Sequence, residues 1–152
     1  MKDSLFEVLK IQRNLAGQFL EHYTLEQLNT TPEGYHNNLI WNIAHMVVTQ
    51  QVLLYKFSGL PMQISDELME RYKKGTEVTA PATEAEVAEI KSLLVATIVQ
   101  TEKDFENGLF VNYNEYQTST GFVLKNFADA ISFNVFHEGM HIGIMMRLKK
   151  LV

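Results

Sequence analysis

The stretch Asn126–Lys150, NFADAISFNVFHEGMHIGIMMRLKK, runs without a proline and opens on Asn126 with Asp129 three positions on, the signature of a capped helix start. It predicts a helix from Phe127 to about Lys149. At about 100° per residue, the face centred on His137 gathers Ala130, Phe133, Asn134, Met140, His141, Ile144 and Leu148. Two histidines therefore lie inside an apolar stripe. Their i, i+4 spacing lets two imidazoles converge on one metal ion from a single rigid element.

A third imidazole is offered by the segment from Asn37 and Asn38, which can cap a helix, to Phe57, ahead of Gly59 and Pro61. Around that axis Asn38, Asn42, His45 and Thr49 form a narrow polar strip flanked by Trp41 and Val52, while Ile40, Ile43, Val47 and Leu54 take the opposite side. His45, His137 and His141 are thus the candidate metal ligands. Three neutral imidazoles leave a coordination position open, as catalytic sites do, and suit Zn²⁺ or Ni²⁺. A cation there activates water or a small thiol. The plainer alternative is that the strip faces solvent and each ring hydrogen-bonds locally in the core.

Asn42 and Asn134, each one turn from a histidine, and Glu138, about 100° around the helix from His137, are candidates for orienting a ring or binding substrate. Trp41 is a candidate wall. His137-Glu138-Gly139-Met140-His141 also matches H-E-x-x-H, but residues 142–152 hold no His, Asp, Glu or Cys to supply the further ligand of a zinc protease. His22 and His36 fall at a helix end and in a loop, where no metal is needed to explain them.

Two further helices follow from the same pattern. Ser4 with Glu7 reads as a capping box opening a helix from about Leu5 to Tyr23, and Thr83 with Glu86 as another opening a helix that ends near Gly108. Thr30 to Gly34 is turn chemistry, Asp66 to Lys73 a short helix stopped by Gly75, and Phe110 to Phe122, rich in Asn, Tyr, Thr and Ser, fits a loop or a short hairpin and is read as irregular. Four helices of roughly twenty residues imply an all-α fold, a four-helix bundle. The long connection between the second and third helices favours a crossover.

At 152 residues, 46% apolar and 20% charged, the chain is expected to form one domain, 1–152. A net charge of −5 leaves no positive field for nucleic acid, and no apolar run is long enough to span a bilayer. The charged start, Met1-Lys2-Asp3, does not read as a signal peptide, so a cytoplasmic protein is expected. With no Cys, any thiol chemistry must use an external, low-molecular-weight thiol.

Trp41-Asn42-Ile43-Ala44-His45, the closing His137-Glu138-Gly139-Met140-His141-Ile142-Gly143 and the Tyr72-Lys73-Lys74-Gly75-Thr76 segment together resemble the DinB-like (DinB/YfiT-like) superfamily, a group classed with metalloenzymes although many members have no known reaction. The resemblance covers essentially the whole chain. It implies a bundle of up-down-down-up order, a His₃ metal site at His45, His137 and His141, and often a homodimer. Some members resemble thiol transferases, so the expected function is a divalent-metal-dependent hydrolase or thiol S-transferase on a small-molecule substrate. The rival is a non-catalytic, stress-related bundle with a structural metal or none. Ala128, Ser132, Gly139 and Gly143, small residues away from the histidine face, predict either a dimer contact or tight packing within the chain.

Overall fold

The structure, a computed structural model, describes residues 2–152, with side chains from Ser4 onward. Helix α1 spans Lys2–His22. Because Lys2 and Asp3 are already helical, Ser4 stands inside the first turn and is not the cap; the cap position lies outside the described residues. A short α2, Leu25–Asn29, which the periodicity did not reveal, follows at once. Thr24 Oγ1 accepts from the Gln27 amide at 3.2 Å while Gln27 Oε1 accepts from the Thr24 amide at 3.0 Å, a complete capping box.

Helix α3, Leu39–Gln51, is the centre of the molecule: every residue in it except Thr49 is buried. Asn38 caps it through Oδ1, which accepts from the Trp41 amide at 2.9 Å. The helix was expected to run unchanged to Phe57. Instead its last turn, Val52–Lys56, is π-helical, with the Phe57 amide reaching back to the Val52 carbonyl at 3.2 Å. Gly59, at φ +71°, ends it.

The crossover contains α4, Asp66–Tyr72, capped by Ser65, and turns at Gly75, where φ is +88°. Helix α5 spans Glu84–Glu106 with Thr83 as its cap and Ile90, Leu94, Ile98 and Thr101 buried on one stripe. Only half of the expected capping box forms. The Glu86 carboxylate accepts from the Tyr72 hydroxyl at 2.7 Å and pairs with Arg71 at 3.1 Å, tying the crossover to α5 instead of closing on its own backbone.

In the segment read as irregular, β1, Tyr116–Gln117, pairs antiparallel with β2, Val123–Leu124, just beyond its end. Helix α6 then runs Phe127–Leu148 from its Asn126 cap. The molecule is all-α apart from this hairpin. Helices α1 and α3 each pack against both α5 and α6, which puts the polar strip of α3 opposite the histidine face of α6. Among the described residues, no helix is long and apolar enough to cross a membrane.

Asn38 is buried, and its Nδ2 also donates to the Asn29 carbonyl at 2.9 Å. Asn38→Ala is expected to cost about 2 kcal/mol in urea unfolding, since a cap and a buried bond are lost together. Thr24→Ala, at an exposed cap, should cost about half as much or less; equal losses would mean that burial at Asn38 adds nothing.

Candidate metal centre

The capped start of α3 sets the rotation of that helix, and α6 lies across it, so His45 faces His137 and His141. The His137 and His141 ring centres are 4.5 Å apart, and His45 lies 5.2 Å and 4.8 Å from them. One nitrogen from each ring falls within 4.8 Å of the others. The Nε2 atoms of His137 and His141 are 3.2 Å apart. Two nitrogens at that separation subtend about 100° at a point about 2.05 Å from both, close to the tetrahedral angle of a zinc site. The residues present fit a divalent cation.

Neighbouring groups fix two of the rings. His45 Nδ1 donates to the Tyr72 carbonyl at 2.6 Å, and His141 Nδ1 donates to Asn42 Oδ1 at 2.8 Å. Since each acceptor oxygen has no proton to give, the protons sit on Nδ1 and both Nε2 atoms are acceptors, of the Thr49 hydroxyl at 3.2 Å for His45 and of His137 Nε2 at 3.2 Å for His141. The Asn42 amide is itself held by donation from Nδ2 to the Asn38 carbonyl at 2.7 Å. His137 Nδ1 is buried with no hydrogen-bond partner. Trp41 stacks on His45 at 4.5 Å and 15°, and its Nε1 donates to Thr76 Oγ1 at 3.2 Å. Asn42 thus bonds one ring, and Trp41 packs on another.

Burial keeps all three rings neutral at pH 7. Desolvation first, then the nearby His141, His45 and Arg13, push His137 down to about 2. Desolvation and His45 push His141 down to about 4. His45 is also lowered by burial, partly offset by its bond to Tyr72. Neutral imidazole is the form a cation binds, so no imidazolium has to be deprotonated first.

Asn134 and Glu138 do not reach a ring. Glu138 is fully buried and its carboxylate accepts from Arg13 Nε at 2.9 Å and Nη2 at 2.7 Å, while Asn134 Nδ2 donates to Glu138 Oε1 at 2.9 Å. Arg13 Nη2 also donates to the Met46 carbonyl at 3.1 Å. The rotation of about 100° between adjacent helical residues turns Glu138 towards α1 and away from the histidines, so it is not placed as the general base of a zinc protease. His22 and His36 are exposed.

Beside the histidines lies a cavity of about 260 Å³, walled chiefly by Val52, Leu53, Phe57, Tyr116, Phe133 and Met140. Lys74 and Thr118 to Thr120 also line it. Sequence reasoning missed the Tyr72 carbonyl, which as a backbone group has no side-chain signal. It also missed Arg13, whose signal was present: a cation on the Phe6, Leu9, Arg13, Ala16 stripe, all of it buried.

Arg13→Met is expected to cost about 3–5 kcal/mol because it strands a buried carboxylate, and adding Glu138→Gln should recover at least half; urea unfolding of both variants checks this. Because the folded histidines titrate below the unfolded value of about 6.5, the unfolded chain binds more protons under that pH. Metal-free protein should therefore lose stability as pH falls from about 6.5, by up to about 1.4 kcal/mol per pH unit for each histidine that stays neutral. His137→Gln should flatten that slope, and an unchanged slope would show that His137 already carries its proton in the fold.

No curated protein matches the chain. A solved structure of a conserved protein from Enterococcus faecalis superposes with a TM-score of 0.69 at 13% identity, covering 100% of this chain and 96% of that one, and so shares its fold. The family model described as the DinB superfamily matches residues 9–145, nearly the full length, and takes in all three histidines. The chain belongs to the DinB superfamily.

Proposed function

We propose that the protein is a divalent-metal-dependent enzyme in which His45, His137 and His141 hold the cation, acting as a hydrolase or a thiol S-transferase on a small molecule. The observation that carries this reading is the convergence of three neutral imidazoles on the edge of an open, mostly apolar cavity. Among the described residues no carboxylate joins the cluster, so protein groups leave a coordination position to water or substrate. A cation bound there, with Zn²⁺ or Ni²⁺ suited to nitrogen ligands, lowers the pKa of a coordinated water or thiol towards neutrality. The chain's own part is to fix the ligands. Tyr72 and Asn42 hold two rings by their Nδ1 protons, Trp41 packs His45, and the apolar wall keeps bulk water from the reacting face. With no Cys in the chain, a transferase would draw its thiol from solution.

The non-catalytic alternative calls for a closed site with no adjoining space, and the cavity speaks against it. Tag-free protein dialysed against Zn²⁺ should retain about one equivalent, and His141→Ala should retain little. Asn42→Leu should weaken Zn²⁺ affinity about 10- to 100-fold by releasing the His141 ring. Equal metal in wild type and His141→Ala would overturn the reading, and a screen of thiols against electrophiles with no turnover above free Zn²⁺ would overturn the transferase part.

We propose that the protein assembles as a homodimer through the face shared by α1 and α6. Ile11 and Leu15 are 61% and 40% exposed, and Phe136 is 52% exposed. A Cβ on Gly143 would meet nothing within 4 Å, and one on Gly139 only the Gln12 amide at 3.4 Å, so packing within the chain does not account for the small residues. Sedimentation should show a dimer that Ile11→Glu converts to monomer; a monomeric wild type would exclude it.

A further inference from the structure

The wall of the histidine cavity carries one charged side chain, Lys74, and no acidic one. That runs against the composition of the whole chain, in which eighteen Asp and Glu outnumber thirteen Lys and Arg. Lys74 is exposed, and the crossover that carries it is tied to the histidine end on both sides. Two positions earlier, the Tyr72 carbonyl accepts from His45, and two positions later Thr76 accepts from Trp41 while its own hydroxyl is 2.9 Å from the Arg71 and Lys73 carbonyls. Adjacent Lys73 is paired with Glu70, whereas Lys74 has no ion-pair partner among the described residues.

The hydroxyls at the hairpin tip do not substitute for it. Thr118 Oγ1 donates its single proton to the Phe122 carbonyl at 2.9 Å, so the Thr120 hydroxyl, 2.9 Å away, must donate to Thr118. Both threonine protons are spent inside the turn, which leaves the Ser119 hydroxyl as a neutral donor beside Lys74. Three imidazoles without charge, a divalent cation and an ammonium would together leave a positive pocket whose lining has no acidic group, so the charge complementarity favours a ligand that carries negative charge.

We infer, on the metal-site reading above, that the cavity binds a small amphipathic organic anion, its acidic group set against Lys74 at the histidine end and its apolar body against Val52, Phe57, Tyr116 and Phe133. Lys74 is then the residue that selects charged over neutral substrates. Hexanoate, hexanamide and acetate serve as probes, titrated by NMR into wild type, Lys74→Met and Lys74→Arg, each with Zn²⁺ and after chelation. In chelated wild type hexanoate should bind about tenfold more tightly than either other probe, one well-placed charged contact's worth. Lys74→Met should abolish the preference over hexanamide without changing hexanamide affinity, and Lys74→Arg should keep it.

Zn²⁺ content of the same samples separates the two readings. A Lys74→Met protein that holds Zn²⁺ like wild type and still prefers hexanoate overturns the anion site alone. A wild type that takes up no Zn²⁺ but shows the Lys74-dependent preference overturns the metal reading and leaves the anion site standing. Equal affinity of chelated wild type for hexanoate and hexanamide also overturns the inference.

Discussion

Keeping three imidazoles neutral and correctly turned at the edge of a cavity is the constraint around which the rest of the molecule is arranged. An imidazole that offers one nitrogen to a ligand is held in place by an acceptor for the proton on the other, and two of the three rings have one built in. For His141 it is Asn42, whose amide is in turn set by the cap of its own helix at Asn38. For His45 it is the last carbonyl of α4, brought in by the crossover. The long connection is therefore part of the site. Its anchoring through Glu86 to Tyr72 and Arg71 fixes the carbonyl that fixes the ring.

Beneath the histidines the Arg13–Glu138 pair does a different job. It joins α1 to α6 and, through the Met46 carbonyl, to α3, all out of contact with solvent. A buried ion pair adds little net stability over a well-packed apolar pair, but a mispaired register would strand two charges at a cost of several kcal/mol. The pair thus discriminates between alignments of three helices, and the cluster one residue away on α6 depends on that alignment to within a fraction of a helical turn.

Much of this was legible in the sequence because it is periodic or local. The i, i+4 histidines, the polar strip on an otherwise apolar helix, and the caps at Asn38, Thr83 and Asn126 all act within one helical turn, and the structure places them as the spacing requires. What escaped was of three kinds. The Tyr72 carbonyl is main chain, invisible to any pattern of side chains. The partner of Glu138 stands 125 residues away, so its neighbour His137 suggested a role that a rotation of the helix denies it. Short elements contain too few residues for periodicity: α2 was not seen, although Thr24 with Gln27 did carry a cap signature, and the hairpin was one of two readings of its stretch and not the one adopted.

The widened turn at Val52–Lys56 follows directly on α3, and the two have separate duties. Upstream residues, including His45, follow the regular ladder; Val52, Leu53 and Phe57, which shape the chamber, belong to the loosened part or follow it. A chain shortened by one residue there would regain ordinary winding and swing Phe57 by about 100°, refitting the chamber to another molecule while the imidazole upstream kept its place. Evolution of such a protein can retune what enters without rebuilding what waits inside.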